Sequence, residues 1–308
     1  MMIQANPIVN QALDHPLLEE KGVELAIKRL DLVHPLVSGN KFFKLKYNLS
    51  DAKKNGIQSV LTFGGAYSNH IQATAAAANF YGLKSIGLIR GEETLPLNPT
   101  LEFAQSQGMK LEYVNRTDYR RKNEAEYLDE LKEKFPNSFI IPEGGTNSLA
   151  IQGTSEILDE GDSKFKYIIL SIGTGGTFCG ILKSLQSHQK ALGISSLKGS
   201  FINREVSDLI EKNQIRTEEE WTINSEYHFG GYAKYTQILI DFIWEFYESF
   251  GIALDPIYTG KMMYAVWDLI KKGHFPTGSK ILAIHTGGIQ GNLGFYERTN
   301  IKLPGLSA

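Results

Sequence analysis

Short apolar runs rich in β-branched residues alternate, from residue 57 onward, with segments whose apolar positions recur at helical spacing. The predicted strands are SVLTF, KSIGLIR, KLEYV and SFIIPEGG. The segments that follow them and have a helical pattern are NHIQATAAAANFYG, TLEFAQSQG, NEAEYLDELKEKF and SLAIQGTSEILDEG. Such alternation is typical of βαβ units around a parallel sheet. We therefore predict one α/β unit in this part of the chain.

A second series of the same kind begins near residue 165. The continuous apolar run in FKYIILSIGTGG predicts a strand buried on both faces, and TFCGILKSLQSHQ and GISSL follow as a helix and a further strand. Residues 232–250 are predicted to be mainly helical, and the helix KMMYAVWDLIKKG precedes a closing strand, KILAIHTGG. No repeat or low-complexity linker separates the two series. We expect two α/β lobes with a small-molecule cleft between them.

Length and charge narrow the range of possible partners. The chain has 308 residues, enough for two lobes, and its formal net charge of -2 gives no basic excess, so we expect no nucleic-acid partner. No apolar run approaches the length of a membrane span, and the first 22 residues are mixed in polarity. We therefore expect a cytoplasmic protein without a membrane partner. One cysteine, Cys179, and seven histidines without metal-ligand spacing predict neither a disulfide nor a metal site.

The glycine-rich stretch SIGTGGTFCG, residues 171–180, joins a predicted strand to a predicted helix. Its backbone N–H groups can converge on an anion, which the helix dipole also favours. A dinucleotide fingerprint starting at Gly173 would require glycine at Phe178, and a triphosphate loop would require lysine where Ile181 follows Gly180. A tight turn that binds nothing is the alternative. The stretch therefore indicates a site for a single phosphate group.

Lys41 is the candidate reactive amine. It follows Gly39 and Asn40 in a predicted turn and precedes Phe42 and Phe43. Most lysines are solvated surface charges, so the position alone is weak evidence. A single-phosphate site, a confined lysine and the polar cluster GGAYSNHIQ together meet the needs of pyridoxal 5'-phosphate, whose aldehyde requires an amine of lowered pKa.

Seven stretches in order carry a family resemblance: SGNKFFKL, GGAYSNHIQATAAAA, PEGGTNSLAIQG, SIGTGGTFCG, GGYA, DPIYTGK and HTGG. With them the chain resembles, over nearly its whole length, the pyridoxal phosphate enzymes of the tryptophan synthase β-subunit fold (fold type II). Within these it is similar to the group that contains D-cysteine desulfhydrase and 1-aminocyclopropane-1-carboxylate (ACC) deaminase. The resemblance implies two open parallel-sheet α/β lobes, a smaller one of residues 45–152 and a larger, cofactor-binding one of residues 1–44 and 153–308. It also implies a homodimer.

The resemblance assigns expected roles residue by residue. Lys41 matches the Schiff-base lysine, and Lys44 matches a lysine that reaches the cofactor phosphate. Asn69 matches the asparagine that hydrogen-bonds the phenolic oxygen of the cofactor, and Ser68 matches the serine beside the substrate. The phosphate loop is matched by Gly173, Thr174, Gly175, Gly176 and Thr177.

Two tyrosines and one departure complete the expected site. Tyr232 and Tyr258 match tyrosines that flank the substrate, although each of them could equally be a packed aromatic. Family members commonly have Gln-Ser-Asn where this chain has Tyr67, Ser68 and Asn69. Tyrosine thus replaces the family glutamine, so the environment of the substrate carboxylate can differ from that of the family.

The resemblance implies an elimination on a small amino acid, with Lys41 as the base and with Ser68 and the two tyrosines assisting proton transfer. Deaminases of the group carry glutamate at the position of Thr259 and leucine at that of Thr286, whereas the desulfhydrase type carries small hydroxyl residues there. We expect both threonines near the pyridine nitrogen, which favours D-cysteine desulfhydrase activity, with ACC deaminase activity as the alternative. A serine or threonine dehydratase and a non-catalytic ligand-binding protein are more distant alternatives. Either threonine could also be an ordinary loop residue.

Overall fold

Two separate sheets organise the chain in the computed structural model, which describes residues 3–217 and 219–306. The described residues contain ten strands: β1 Asn10–Leu13, β2 Glu24–Arg29, β3 Ser59–Gly64, β4 Lys84–Arg90, β5 Met109–Val114, β6 Ser138–Ile141, β7 Tyr167–Ile172, β8 Lys190–Ser195, β9 Trp221–Asn224 and β10 Lys280–His285. They also contain twelve α-helices: α1 Pro16–Lys21, α2 Asn40–Lys54, α3 Asn69–Tyr81, α4 Pro99–Ser106, α5 Arg116–Arg120, α6 Ala125–Lys134, α7 Ser148–Thr154, α8 Gly176–Ser184, α9 Phe201–Lys212, α10 Gln237–Phe250, α11 Thr259–Lys271 and α12 Gly291–Thr299.

The larger sheet has the order β1-β2-β10-β7-β8-β9, and all its neighbours are parallel except the edge pair β1 and β2. The smaller sheet, β5-β4-β3-β6, is parallel throughout. Helices follow the parallel strands and cover both faces of each sheet, as the crossover connections of such sheets require. The predicted α/β fold with two open, mainly parallel sheets is confirmed.

One continuous apolar core joins the two sheets. It combines Val60 of β3 and Ile141 of β6 with Leu170 of β7 and Leu282 of β10, on the face of the larger sheet that α8 and α9 cover. Helix α2 packs on α7 in the same region. The opposite face of the larger sheet packs on α10 and α11. Because the core is shared, the lobes meet through packed side chains rather than through a linker.

The smaller sheet is built from residues within the range predicted for the smaller lobe, and the strands of the larger sheet lie outside that range. The predicted boundary at residue 45 falls inside α2, which runs unbroken from Asn40 to Lys54. The lobe boundaries stay a prediction.

Several element boundaries were predicted wrongly. Helix α10 begins at Gln237 rather than at Tyr232, because Gly231 and Ala233 have positive φ and leave the helical region. The strand predicted at GISSL begins three residues earlier and ends two residues earlier, at Lys190–Ser195. Helix α7 ends at Thr154 and α8 at Ser184, short of their predicted ends. None of the helices in the described residues is both long and apolar enough to cross a lipid bilayer.

Candidate active site

A cavity of about 410 Å³ lies where the carboxyl ends of strands from both sheets meet. The loops that follow β3, β7 and β10 line it, together with the start of α2. Ligands of open α/β sheets bind at this end of the strands, and the volume suits a small cofactor with its substrate. Most of the residues singled out from the sequence line this one cavity: Lys41, Lys44, Ser68, Asn69, Gly173, Thr174, Gly175, Thr177, Tyr232, Tyr258 and Thr286.

Lys41 lies in the first turn of α2, which begins against the end of β10. Gly39 makes this approach possible, since a Cβ there would lie 2.0 Å from the backbone oxygen of Thr286, and its φ of 67° is in the left-handed region. The backbone N–H of Asn40 donates to the same oxygen at 3.1 Å. Lys41 Nζ donates to Asn40 Oδ1 at 3.1 Å, and burial lowers the pKa of Lys41 to about 8. The amine is therefore within reach of its neutral, nucleophilic form near neutral pH.

Lys44 is buried one turn further along α2. Its Nζ donates to the backbone oxygen of Gly144 at 2.8 Å, to Thr146 Oγ1 at 3.0 Å and to Thr174 Oγ1 at 3.3 Å. Burial lowers its pKa well below the ordinary value, and the charge of Lys41 lowers it further. Lys44 therefore lies beside the glycine-rich loop, where it can bind an anion.

The glycine-rich loop ends in the first turn of α8. Gly175 precedes the helix with a φ of 78°, and no side chain caps this N-terminus. The first N–H groups of a helix have no partner within it, so this uncapped turn at the cavity wall can bind an anion. Gly176 does not line the cavity, because a Cβ there would face Thr146 at 2.8 Å. The cradle and Lys44 together fit a phosphate group, whose negative charge would favour the protonated form of the lysine.

Helix α3 presents Ser68 and Asn69 to the cavity. Ser68 caps the helix: its Oγ accepts from the backbone N–H of His70 at 3.2 Å and of Ile71 at 3.3 Å, so its own hydrogen can be donated. The side-chain amide of Asn69 faces the loop after β10, since a Cβ on Gly288 would lie 2.9 Å from its Nδ2. Both side chains therefore lie at the rim shared by the two sheets.

The two tyrosines lie together at another wall. The ring centroids of Tyr232 and Tyr258 are 6.1 Å apart, with Tyr232 half exposed. Burial, followed by the neighbouring hydroxyl of Tyr232, raises the pKa of Tyr258 well above its ordinary value. Tyr258 therefore keeps its proton and can donate a hydrogen bond.

The two threonines differ in position, contrary to our expectation for Thr259. Its hydroxyl donates to Asp255 Oδ2 at 2.6 Å and accepts from the backbone N–H of Asp255 at 2.9 Å, and Thr259 does not line the cavity. The hydroxyl is thus used in the first turn of α11 and is not offered to a ligand. Thr286 does line the cavity, with its Oγ1 3.1 Å from Ser171 Oγ at the end of β7.

Tyr67, which replaces the family glutamine, packs on α12. Its ring packs on Gly294, where a Cβ would lie 2.3 Å from Tyr67 Cδ1, and the guanidinium of Arg298 lies 5.2 Å from the ring centroid. Tyr67 therefore links the loop after β3 to the far end of the chain. No local sequence signal pairs positions so distant.

Sequence reasoning missed further cavity residues, among them His70, Arg90, Glu143, Ser171 and Arg298. His70 lies inside a quoted stretch but was not singled out, although it directly follows Asn69. Ser171 could have been found from its place at the end of the predicted strand before the glycine-rich loop. The two arginines stand in segments without a recognisable motif.

Comparisons with known proteins agree with this geometry. A family model described as "Pyridoxal-phosphate dependent enzyme" matches residues 9–287. A "Putative 1-aminocyclopropane-1-carboxylate deaminase" of Pyrococcus horikoshii is 32% identical over 91% of this chain and 89% of that protein. The "Bifunctional D-cysteine desulfhydrase/1-aminocyclopropane-1-carboxylate deaminase, mitochondrial" of Arabidopsis thaliana is 31% identical over 91% of this chain and 75% of that protein.

A "D-cysteine desulfhydrase" of Klebsiella pneumoniae is 28% identical over 88% of this chain and 89% of that protein. Among solved structures, an "ACC deaminase homologue" superposes with a TM-score of 0.82 at 31% identity and covers 96% of this chain and 93% of that chain. The phosphate cradle and the buried lysine of lowered pKa independently fit the cofactor of these proteins. The chain belongs to the family of pyridoxal-phosphate dependent enzymes, and pyridoxal phosphate is its cofactor.

Proposed function

We propose that the enzyme catalyses elimination on a small amino acid, most readily D-cysteine, which with water gives pyruvate, ammonia and hydrogen sulfide. The observation that supports this choice is the hydroxyl pair of Ser171 and Thr286 in the cavity wall. Among the described lining residues the one carboxylate is Glu143, which accepts from the Tyr119 hydroxyl at 2.7 Å and pairs with Lys122 at 3.4 Å. A ring nitrogen that meets hydroxyls stays a weaker electron sink, which suits a good leaving group such as sulfide.

The proposed roles follow from the contacts of each residue. Lys44 and the loop from Gly173 to Thr177 would hold the cofactor phosphate, and Asn69 would face its ring. Pyridoxal phosphate, when bound, supplies the electron sink for the reaction. Lys41 would carry the cofactor at rest and take the α-proton of the substrate at Nζ when released, which its lowered pKa allows.

Three hydroxyl groups would complete the reaction. Tyr258, which keeps its proton, can donate a hydrogen bond to the departing sulfur, and Tyr232 lies beside it at the open side of the cavity. Ser68 can donate its hydrogen to the substrate carboxylate, because its oxygen already accepts from the backbone of α3. These roles belong to the proposal and are tested by substitution.

ACC deaminase activity is the second candidate. The names of the Pyrococcus relative and of the superposed structure favour it, since both refer to that reaction. The two candidates share the cofactor, the lysine and the α-amino acid framework, and they differ in the bond that breaks. A paired assay therefore separates them.

The test is a parallel assay of D-cysteine, L-cysteine and ACC for the keto acids formed, together with a Thr286→Leu variant. We expect pyruvate from D-cysteine to form fastest, and Thr286→Leu to slow it about tenfold because a hydroxyl that faces the ring is lost. Thr259→Ser is the matched control, since it keeps the hydroxyl on Asp255 away from the cavity. Ring opening of ACC faster than pyruvate release from D-cysteine would make the deaminase the better assignment.

We also propose that the protein is a cytoplasmic homodimer. Leu36 and Phe80 are each about half exposed and lie around the ring of His34, which is 6.4 Å from the ring of Phe80 and accepts from the backbone N–H of Leu36. An apolar patch of this kind commonly lies in an interface. The cytoplasmic location is supported by Cys179, a buried free thiol of the kind that a reducing compartment preserves.

A further inference from the structure

Lys261 lies in the first turn of α11, and its side chain is buried. Its Nζ donates to the backbone oxygens of His228 and Gly231, each at 2.8 Å. A buried ammonium is costly unless its hydrogens find acceptors, and these two carbonyls supply them. Lys261 ends the stretch DPIYTGK, but it is not among the described residues that line the cavity. Its contacts therefore serve the loop that it binds rather than a ligand.

The two oxygens belong to consecutive turns in residues 228–234, the Tyr232 loop. The N–H of Gly231 donates to the first of these oxygens at 3.0 Å, and the N–H of Lys234 donates to the second at 3.1 Å. Tyr232 lies in the second turn, between Gly231 with a φ of 114° and Ala233 with a φ of 55°. Positive φ is unfavourable for a residue with a Cβ such as Ala233. The loop therefore depends on outside contacts to keep this conformation.

Three contacts fasten the Tyr232 loop and the residue before it to α11. The hydroxyl of Tyr227 donates to Asp268 Oδ2 at 2.6 Å, and the ring centroid of Phe229 lies 5.0 Å from that of Tyr264. The third contact is that of Lys261 with the two carbonyls. The three helix residues are three and four positions apart, so they lie on one face of α11. Of the three contacts, that of Lys261 is the closest in sequence to the tyrosine of the loop.

The same helical turn also carries Tyr258. This residue directly precedes α11, and its backbone N–H donates to Asp255 Oδ1 at 2.8 Å. The ring centroids of Tyr258 and Tyr232 are 6.1 Å apart. The start of α11 thus holds both tyrosines: Tyr258 through the chain itself, and Tyr232 through the bonds of Lys261 to its loop.

We infer that Lys261 is a positioning residue, which holds the Tyr232 loop on α11 and so keeps Tyr232 against Tyr258 at the open side of the cavity. The inference rests on the roles proposed for the two tyrosines in the elimination. Removing the ammonium would leave both hydroxyls chemically intact but would free one of them from its place. Groups that assist a departing atom act in the transition state, so a misplaced tyrosine lowers kcat more than it raises KM.

A double-mutant cycle tests whether Lys261 acts through Tyr232. Lys261→Met keeps an apolar side chain of similar length but donates no hydrogen bond. We expect it to lower kcat roughly tenfold and to leave KM within about twofold. In a Tyr232→Phe background the same substitution should lower kcat less than about twofold, because the hydroxyl that the loop positions is already gone. Equal losses in the two backgrounds would overturn the inference.

Hydrogen–deuterium exchange of the holoenzyme without substrate gives a readout besides activity. In Lys261→Met the peptide that contains the Tyr232 loop should exchange roughly tenfold faster, while peptides of α3 and α8 keep their rates. Leu61→Ala is the control for general destabilisation, since Leu61 is buried in a core cluster separate from that of α11. Unchanged exchange of the loop in Lys261→Met, or an equal rise in Leu61→Ala, would refute the role of Lys261.

Lys261→Gln is the conservative variant. It keeps N–H donors on a shorter side chain, so it should lose less than Lys261→Met in both measurements, and a larger loss would contradict the inference. The same comparisons can be made with Lys261→Gln alone if the methionine variant does not fold. Activity is measured with whichever of D-cysteine and ACC the enzyme turns over, and the exchange measurement needs no substrate. A wrong substrate assignment therefore does not decide the result.

Discussion

At the scale of single residues, burial rather than a charge partner prepares Lys41 for its chemistry. The pKa of Lys41 is lowered to about 8, and the neutral amine is the form that attacks an aldehyde. When pyridoxal phosphate is added to cofactor-depleted protein, we expect the rate of covalent attachment to rise about tenfold per pH unit below pH 8 and to level off above it. Absorbance of the attached cofactor from pH 6 to 9.5 measures this rate.

Lys44→Gln serves as the control for that experiment. This variant should still attach the cofactor covalently, as judged by borohydride reduction and peptide mapping. In the unmodified protein Lys44 donates to Gly144, Thr146 and Thr174, so it is not the amine that reacts with the aldehyde. Lys41→Ala should show no label. A label on another lysine, or a rate that levels off only near pH 10, would remove Lys41 from this role.

The sequence predicted residue identities better than it predicted what each side chain faces. Lys41 and the loop from Gly173 to Thr177 were singled out because glycine-rich turns leave a local pattern, and Lys44 was assigned by the family resemblance. Thr259 was misjudged because its hydroxyl bonds Asp255, four residues earlier, and a motif does not say which way a hydroxyl points. His70 was missed because its contact with Thr62, and that of Thr62 with Ile141 on a neighbouring strand, form only in the folded chain.

At the scale of elements, the start of α8 depends on the backbone of Gly175. Its φ of 78° is costly for a residue with a Cβ, and a Cβ would also lie 3.0 Å from Val206 Cγ2 on α9. Gly175→Ala should lower the free energy of unfolding by about 1–2 kcal/mol. It should also weaken cofactor binding roughly tenfold, because a shift of the loop misaligns its N–H groups. Urea unfolding and equilibrium dialysis measure the two effects.

Gly82→Ala is the matched control for this loop. Gly82 ends α3 with a φ of 70°, and a Cβ there would meet nothing within 4 Å. The variant should therefore carry a similar backbone strain and a similar loss of stability, with cofactor affinity unchanged. Equal losses of affinity in both variants would show that the effect comes from general destabilisation and not from the loop.

Most elements inside the two alternating series of strands and helices were predicted, and elements outside these series were missed, as was α9, although its apolar positions recur at helical spacing. Strands β3, β4 and β7 follow from apolar runs between helical patterns, because burial on both faces leaves a nearly continuous apolar segment. Strand β5 was also predicted, although it is an edge strand and mostly only partly buried. Strands β1 and β2 were missed: β2 pairs in parallel with β10 from the other end of the chain, a contact that no local pattern reveals. The edge strand β9 was also missed, because its four residues are too few and too exposed to give an apolar pattern.

At the scale of the whole molecule, the apolar patch formed by Leu36 and Phe80 around His34 is the surface expected to pair two copies of the chain. Leu36 lies between Val33 and Val37 in the chain, and Phe80 precedes Tyr81; these three neighbours belong to the core shared by the two sheets, whereas α10 packs on the opposite face of the larger sheet. Placing a carboxylate in a packed interface costs several kcal/mol, roughly enough to dissociate a dimer of micromolar affinity. We therefore expect Phe80→Asp to convert the proposed homodimer to a monomer.

Sedimentation velocity across a concentration series measures the oligomeric state of the unmodified protein and of each variant. Ile238 on α10 provides the control, because its side chain is 63% exposed and lies on the opposite face of the same sheet, so Ile238→Asp should leave the dimer intact. The cavity is lined within one chain by both sheets, so a monomeric Phe80→Asp should still attach its cofactor. An unmodified protein that sediments as a monomer would contradict the dimer. A dimer that is lost in Ile238→Asp and kept in Phe80→Asp would place the interface elsewhere.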